Sequence, residues 1–252
     1  MLIYHRLSKE ILIAITDEPE KAKQLEANKQ PVIGILSPKS VTSDWSGVSY
    51  LSEDISLFSY ISEDNEFYCK EVCHRILGIP VVIGQFCVGQ STYVIREMIE
   101  EDINELYELY KEDSWSHFLE PLNEDKKIEL EKIKKYISHS YPIYRCGIWS
   151  IVKEEYEQNR LKKQLVGRVG LEYKEYGDFY GCFLGYALKQ SEGGRGVGTR
   201  ACEIALCYGK KELGEEKIYA YIHKGNEPSI KMAKRLEMKQ VGSDGNHWIF
   251  CG

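Results

Sequence analysis

The stretch Ser191-Glu192-Gly193-Gly194-Arg195-Gly196-Val197-Gly198-Thr199 lies between an apolar strand pattern at 179–188 and an apolar helix pattern at 197–213. Glycines let a chain turn with its N–H groups inward, and a helix N-terminus adds partial positive charge. The physical product is an anion cradle, whose natural occupant is a phosphate or pyrophosphate. The alternative, a flexible surface turn, suits a Gly/Ser linker better than a loop wedged between two apolar elements. A Walker loop needs Gly-Lys-Ser/Thr at its end, whereas this loop closes on Gly196-Val197-Gly198-Thr199 without a lysine. The dinucleotide pattern G-x-G-x-x-G also fails, because from Gly194 its last position falls on Thr199. That motif further expects an early place in a βαβ unit.

Working outward, the pattern around the loop is that of a mixed α/β domain. Residues 93–98 alternate as a strand, and helices are predicted over 101–111 and 124–138. Three strands follow at 147–152, 165–173 and 179–188, then the loop and its helix, then a strand at 217–222. A helix at 228–236 and short strands at 239–242 and 247–251 close the chain. Ahead of residue 86 the rhythm differs. A continuous apolar strand at 11–15 precedes a helix at 18–27, capped by Asp17 with Pro19 in its first turn. Strands at 31–36 and 48–51, a helix at 64–77 and a strand at 80–83 complete a small α/β layer with parallel pairing. The punctuation Phe86-Cys87-Val88-Gly89-Gln90-Ser91 divides the two regions.

Composition bounds the function. The 252 residues are 43% hydrophobic and 12% aromatic, enough for a real core and against disorder. A formal net charge of -6 argues against a nucleic-acid backbone binder, which would carry a basic face. No apolar run reaches the ~18 residues of a spanning helix, and the start Met1–Leu7 has no long apolar stretch behind a basic beginning. We therefore expect no membrane partner, no nucleic-acid partner and a cytoplasmic location, with the 8 cysteines as reduced thiols. Cys69-x3-Cys73-His74 is the one tight cluster, but no second ligand pair follows, so buried thiols are expected there and no metal.

The loop resembles the acetyl-CoA pyrophosphate loop of the GNAT superfamily of N-acetyltransferases. The family pattern Gln/Arg-x-x-Gly-x-Gly/Ala is matched from Gly193 to Gly198, with glycine in place of the first Gln or Arg. Phe183-Leu184-Gly185-Tyr186-Ala187-Leu188 resembles the family's fourth strand. The segment from Asn226 through Ser229-Ile230-Lys231 to Met238 resembles its Asn-x-x-Ser-Ile-Lys-x-x-x-Lys-Leu-Gly-Phe/Met stretch. Tyr93–Met98 with Glu101-Asp102 looks like the domain's usual opening. The resemblance covers roughly the last two-thirds of the chain. It implies a GNAT-type mixed central sheet flanked by helices at residues 89–252, an α/β (α+β) fold, preceded by a small Rossmann-like α/β module at 1–88.

The resemblance also implies roles. Main-chain groups of Tyr186, Ala187 and Leu188 would pair with the pantetheine arm of acetyl-CoA, one N–H there polarising the thioester carbonyl. Amides of the loop, Gly193, Gly194, Arg195, Gly196, Val197, Gly198 and Thr199, would hold the pyrophosphate. Asn226 and Ser229 would meet the cofactor arm, although Asn226 reads equally as a helix N-cap. The partner is an amine acceptor, a small molecule or a protein amine. Two family features are absent. Ala233 stands where many relatives carry an acidic tyrosine, and Phe183 where a glutamate is common.

Substitutes for proton transfer are Tyr221 and Tyr219, which share a face of the 217–222 strand, and Glu172; each also reads as a packing or solvated residue. His117 in the loop 114–119 and Cys182 read as an exposed loop histidine and a strand filler. The acidic run Glu97, Glu100, Glu101, Asp102, Glu105, Glu108, Glu112 and Asp113 would favour a cationic amine, or is a solvated helix face. Residues 1–88 faintly resemble the sheets of haloacid-dehalogenase-type hydrolases but lack any Asp-x-Asp nucleophile. They form a degenerate domain, an acceptor platform or the surface of a homodimer. The leading function is acetyl-CoA-dependent N-acetyl transfer without a metal. The alternative is a catalytically silent acyl-CoA-binding module.

Overall fold

The computed structural model describes residues 2–6, 12–48, 50–52, 75, 79–112, 118–158 and 160–252. They fall into two compact units: Met1–Val81 with Lys134–Arg145, and Val82–Ile133 with Cys146–Gly252.

The first unit is built on a sheet ordered β1 (Leu2–Arg6), β2 (Leu12–Thr16), β3 (Val32–Ile35) and β4 (Leu51–Ser52). β2–β3 and β3–β4 are parallel, as the strand–helix–strand spacing predicts, and β1 adds antiparallel to β2. Ile13, Ala14 and Ile15 are all buried, which is why β2 reads as an unbroken apolar run. Helix α1 (Pro19–Ala27) crosses from β2 to β3 and begins one residue later than expected. Its N-cap is Glu18 rather than Asp17, and the Glu18 N–H donates to Thr16 Oγ1 at 3.2 Å. Ala14, Ala22, Val32, Trp45, Val48 and Leu51 form its core. The helix predicted over 64–77, with Cys69, Cys73 and His74, lies outside the described residues.

The strand expected at 80–83 does not belong to this sheet. It is the start of β5 (Val82–Val88), which turns at Gly89-Gln90 and pairs antiparallel with β6 (Ser91–Glu97). Gly89 has φ 63°, as two-residue hairpin turns require, so the glycine that reads as a boundary is a hairpin turn.

The second unit holds an eight-stranded mixed sheet ordered β11-β12-β10-β9-β8-β7-β6-β5. After β6 comes a 3-10 turn (Glu100–Asp102) and helix α2 (Ile103–Tyr110), pinned by a buried fork. Arg96 donates twice to the Asp102 carboxylate, both at 2.7 Å, and Ser150 Oγ donates to it at 2.7 Å. Helix α3 (Lys126–Lys135) leaves this unit after Ile133; the π-helical turn (Tyr136–Ser140) and α4 (Tyr141–Tyr144) that continue it belong to the first unit. Strands β7 (Ile148–Glu157) and β8 (Arg160–Tyr176) form a long hairpin, and β9 (Phe179–Leu188) pairs antiparallel along β8.

Helix α5 (Val197–Glu212), β10 (Ile218–His223), α6 (Glu227–Arg235), β11 (Lys239–Asp244) and β12 (His247–Cys251) follow. Val197, Ala201, Cys202, Ala205, Tyr208 and Gly209 make the buried stripe of α5. A side chain at Gly209 would come within 2.6 Å of Ile218 Cδ1, so glycine here is what lets the helix lie close to β10. Ile218, Ala220 and Ile222 therefore face the α5 side, and Tyr219, Tyr221 and His223 the other.

Candidate active site

β9 and β10 run parallel but share only two register pairs, Cys182↔Ile218 and Phe183↔Tyr219, before they part. The far edge of β9 stays on β8, where Lys189 N–H donates to Val166 O at 2.8 Å. Strand alternation then turns the main-chain N–H and C=O of Tyr186 and Leu188 toward the opening, and those of Ala187 toward β8. The mixed sheet thus exposes two backbone donors and two acceptors between its parallel strands β9 and β10, where extended amide-bearing chains can pair. On the α5 side, Tyr186 Oη donates to Ser229 Oγ at 3.1 Å. The Ser229 N–H in turn donates to Asn226 Oδ1 at 3.2 Å, so Asn226 serves as the N-cap of α6. Burial pushes the Tyr186 phenol up to about 12, which keeps it a donor.

The glycine loop closes the C-terminal end of this opening. Gly194 and Gly196 have φ of 72° and 84°, and a Cβ at either would meet nothing within 4 Å. Backbone conformation, not crowding, calls for glycine at both. Gly196 is the N-cap of α5 without a side-chain cap, and the first helical bond is Arg200 N–H to Gly196 O at 3.0 Å. The amides of Val197, Gly198 and Thr199 therefore have no partner inside the helix. Arg235 donates to Thr199 Oγ1 at 3.2 Å and sets a cation beside them. The loop thus presents unpartnered helix-start amides, with the Arg235 cation beside them, to any anion that meets this end.

Two braces hold it. Glu192 is 5% exposed and accepts from Tyr93 Oη at 2.6 Å, from Lys153 Nζ at 3.3 Å and from Arg195 at 3.2 Å. Burial and the Glu192 carboxylate push the Tyr93 phenol up to about 12. Glu112 accepts from the Gln190 N–H at 3.2 Å. The acidic run on the first helix is thus partly structural. Asp102 is held by Arg96, Glu97 is buried, Glu105 accepts from the Leu165 N–H, and Glu108 pairs with Lys111.

The residues expected to move protons sit on the face opposite α5. Tyr221 is stacked between Tyr176 (centroids 3.9 Å apart) and His247 (4.1 Å), and donates to Asp244 Oδ2 at 3.2 Å. Burial and Asp244 raise its pKa. Tyr219 packs against Phe183 at 5.4 Å and Phe179 at 5.7 Å. Glu172 is opposite Phe183 across β8–β9 and is ion-paired to Lys174 at 2.9 Å. Ala233 and Phe183 are buried and bring no titratable group. Cys182 is fully buried and its thiol is pushed up to about 12, which makes it a poor nucleophile. His117 lies outside the described residues. Among the described residues there is no group of three or more His, Cys, Asp or Glu that could hold a metal ion, and no helix long and apolar enough to cross a membrane.

The sequence reading missed His223 and His247, which the β10–β12 ladder sets opposite one another. Their rings are edge-to-face at 5.1 Å, and Phe118 lies 5.4 Å from His223. Nothing in the local pattern marks them. They are 24 positions apart in sequence and meet only through strand pairing. Glu192 likewise reads only as a loop residue in the sequence.

A family model described as "Acetyltransferase (GNAT) domain" matches residues 93–239. The human alpha/beta-tubulin-N-acetyltransferase 9 is 46% identical over 50 residues, 20% of this chain. The match spans about a quarter, 24%, of that relative's length. A GnaT-family acetyltransferase from Bordetella pertussis, described as putative, superposes with TM-score 0.50 at 18% identity over 67% of this chain and 98% of its own. The ribosomal L7/L12 alpha-N-protein acetyltransferase RimL gives 0.51 at 13% identity over 69% and 94%. Mycobacterium smegmatis RimJ, solved with CoA-disulfide, gives 0.50 at 18% identity over 69% and 88%. At these identities the structures speak for the fold, and the large mixed sheet flanked by helices is shared with them.

Proposed function

The chain belongs to the acetyltransferase (GNAT) domain family, and we propose that it transfers an acetyl group from acetyl-CoA to an amine that attacks the thioester directly. One observation carries the reading: β9 and β10 part after Phe183↔Tyr219, and the opening leads to the uncapped N-terminus of α5. That combination provides a backbone-lined slot for an extended amide-bearing arm and an anion cradle at its end. Bound acetyl-CoA supplies an acyl carbon activated as a thioester and a thiolate leaving group. The chain's part is to hold, orient and polarise. The amides of Val197, Gly198 and Thr199, with the loop from Gly193 to Gly196, bind the pyrophosphate. Tyr186 and Leu188 pair through their main chains with the pantetheine amides. One of their N–H groups, aimed at the carbonyl oxygen, contributes roughly 3 kcal/mol to the transition state. The face carrying Tyr219, Tyr221 and His223 receives the amine. The proposed acceptor stays at its class, an amine of a small molecule or of a protein; tubulin in the human relative's name is that protein's.

A second reading, a silent acyl-CoA-binding module, is favoured by one observation. Ala233, at the position of the family's acidic tyrosine, is 2% exposed and packs as core. Thiol release from acetyl-CoA across a panel of small amines and peptide amino termini separates the two. Turnover on any amine supports the transferase. Saturable acetyl-CoA binding without turnover on the whole panel supports the module.

A further inference from the structure

We propose that His247 is the base that takes the proton from the acceptor amine, a role resting on the transferase reading above. Tyr221 and His223 lie on the part of β10 beyond its last pair with β9, so they border the opening on the face away from α5. His247 stands opposite His223 on the next strand, about 5 Å away. Its ring continues the Tyr176–Tyr221 stack on that same face.

Chemistry then discriminates among the candidates. A neutral imidazole has one free lone pair. His223 has spent its own: Nδ1 accepts the Gly225 N–H at 3.0 Å, which leaves its other nitrogen protonated. The Glu172 carboxylate is engaged by Lys174, and Asp244 accepts from Tyr221. His247 makes no side-chain hydrogen bond among the described residues. Its lone pair is open, and the side chain is only half-buried, so substrate or one bridging water can reach it.

The surroundings also set its charge. Burial, His223 and Lys224 disfavour the imidazolium, while Asp244 opposes them; the net effect lowers the pKa. The Tyr221 phenol stacked on the ring has its pKa raised by burial and Asp244, so it adds no charge at neutral pH. His247 is therefore mostly unprotonated at neutral pH and able to accept. In the step, the nitrogen lone pair forms the C–N bond and the C–S bond breaks with its electron pair on sulfur. The proton shed by nitrogen goes to the His247 ring, solvent protonates the thiolate, and the imidazolium returns its proton to water.

The test uses the full chain with acetyl-CoA and the best amine of the panel. His247→Gln should keep the circular dichroism and acetyl-CoA affinity of wild type. Its kcat/KM should fall roughly 10²–10⁴-fold, and the acid limb of the pH profile should vanish. In whatever activity it retains, His223→Gln should move that limb to higher pH, because a neighbour that disfavours the imidazolium is gone. Independently of turnover, NMR titration of free wild type should show the His247 ring titrating below about 6.5. Wild-type kcat/KM with an unchanged limb in His247→Gln overturns the proposal and leaves the transferase reading standing. So does a His247 ring that titrates at or above that value. Wild type that binds acetyl-CoA but acetylates no amine overturns the transferase reading, and this role with it.

Discussion

Replacing Glu192 by alanine tests whether a buried carboxylate, rather than the glycines alone, holds the loop in place. The side chain accepts from Tyr93 Oη at 2.6 Å, Lys153 Nζ at 3.3 Å and Arg195 at 3.2 Å. These contacts are unequal. Arg195 is 42% exposed, so its contribution is screened to a few tenths of a kcal/mol, at most about 1. Lys153 keeps Glu155 at 3.0 Å after the change. The Tyr93 phenol, in contrast, is buried and loses a charged acceptor, which costs about 1.5–3 kcal/mol. We therefore expect about 2–3 kcal/mol of destabilisation, read in urea unfolding as a lower midpoint with an unchanged slope. Glu192→Gln keeps an acceptor for Tyr93 and should lose less. Tyr93→Phe combined with Glu192→Ala should lose clearly less than the two single losses summed. Acetyl-CoA affinity, measured by calorimetry in 0.15 M salt, should drop in Glu192→Ala, because the brace between loop and sheet is gone. An unchanged midpoint together with unchanged affinity would refute the reasoning.

Gly196→Val should weaken acetyl-CoA binding at least tenfold, about 1.4 kcal/mol, and cost about 1–3 kcal/mol of stability, since the site is open but its φ of 84° strains a β-branched residue; calorimetry alongside thermal unfolding checks both halves. Gly198→Val should weaken binding and stability together, because this glycine is buried and its Cβ would lie 3.2 Å from Met232 Cε. Tyr219→Phe and Tyr221→Phe should each keep kcat within about tenfold, since Tyr219 is packed against Phe183 and Phe179 and the Tyr221 phenol, its pKa raised by burial and Asp244, is a poor proton donor at neutral pH; a 10²-fold loss in either would reinstate that tyrosine as the acid. Asp102→Ala should cost about 1.5–3 kcal/mol by leaving the half-buried Arg96 with only the Glu97 carbonyl as acceptor, visible as a lower denaturation midpoint.

What the sequence by itself determined is local. The bounds of β9 and β12 and the starts of α5 and α6 follow from apolar periodicity, Pro228 and the glycines, all carried within about ten residues of chain. The backbone of the glycine loop was legible for the same reason: positive φ and an uncapped helix start are properties of consecutive residues. Tertiary structure decided the rest. Gly89 reads as a boundary until β5 is seen to pair with β6, because a hairpin turn and a linker share residue types. Glu192 reads as loop until Tyr93, 99 positions away, is found donating to it. His247 is unmarked until strand pairing sets it against His223 and the Gly225 N–H claims the lone pair of its neighbour. Pattern reveals which face a side chain takes; only the packed sheet decides which side chains share a proton.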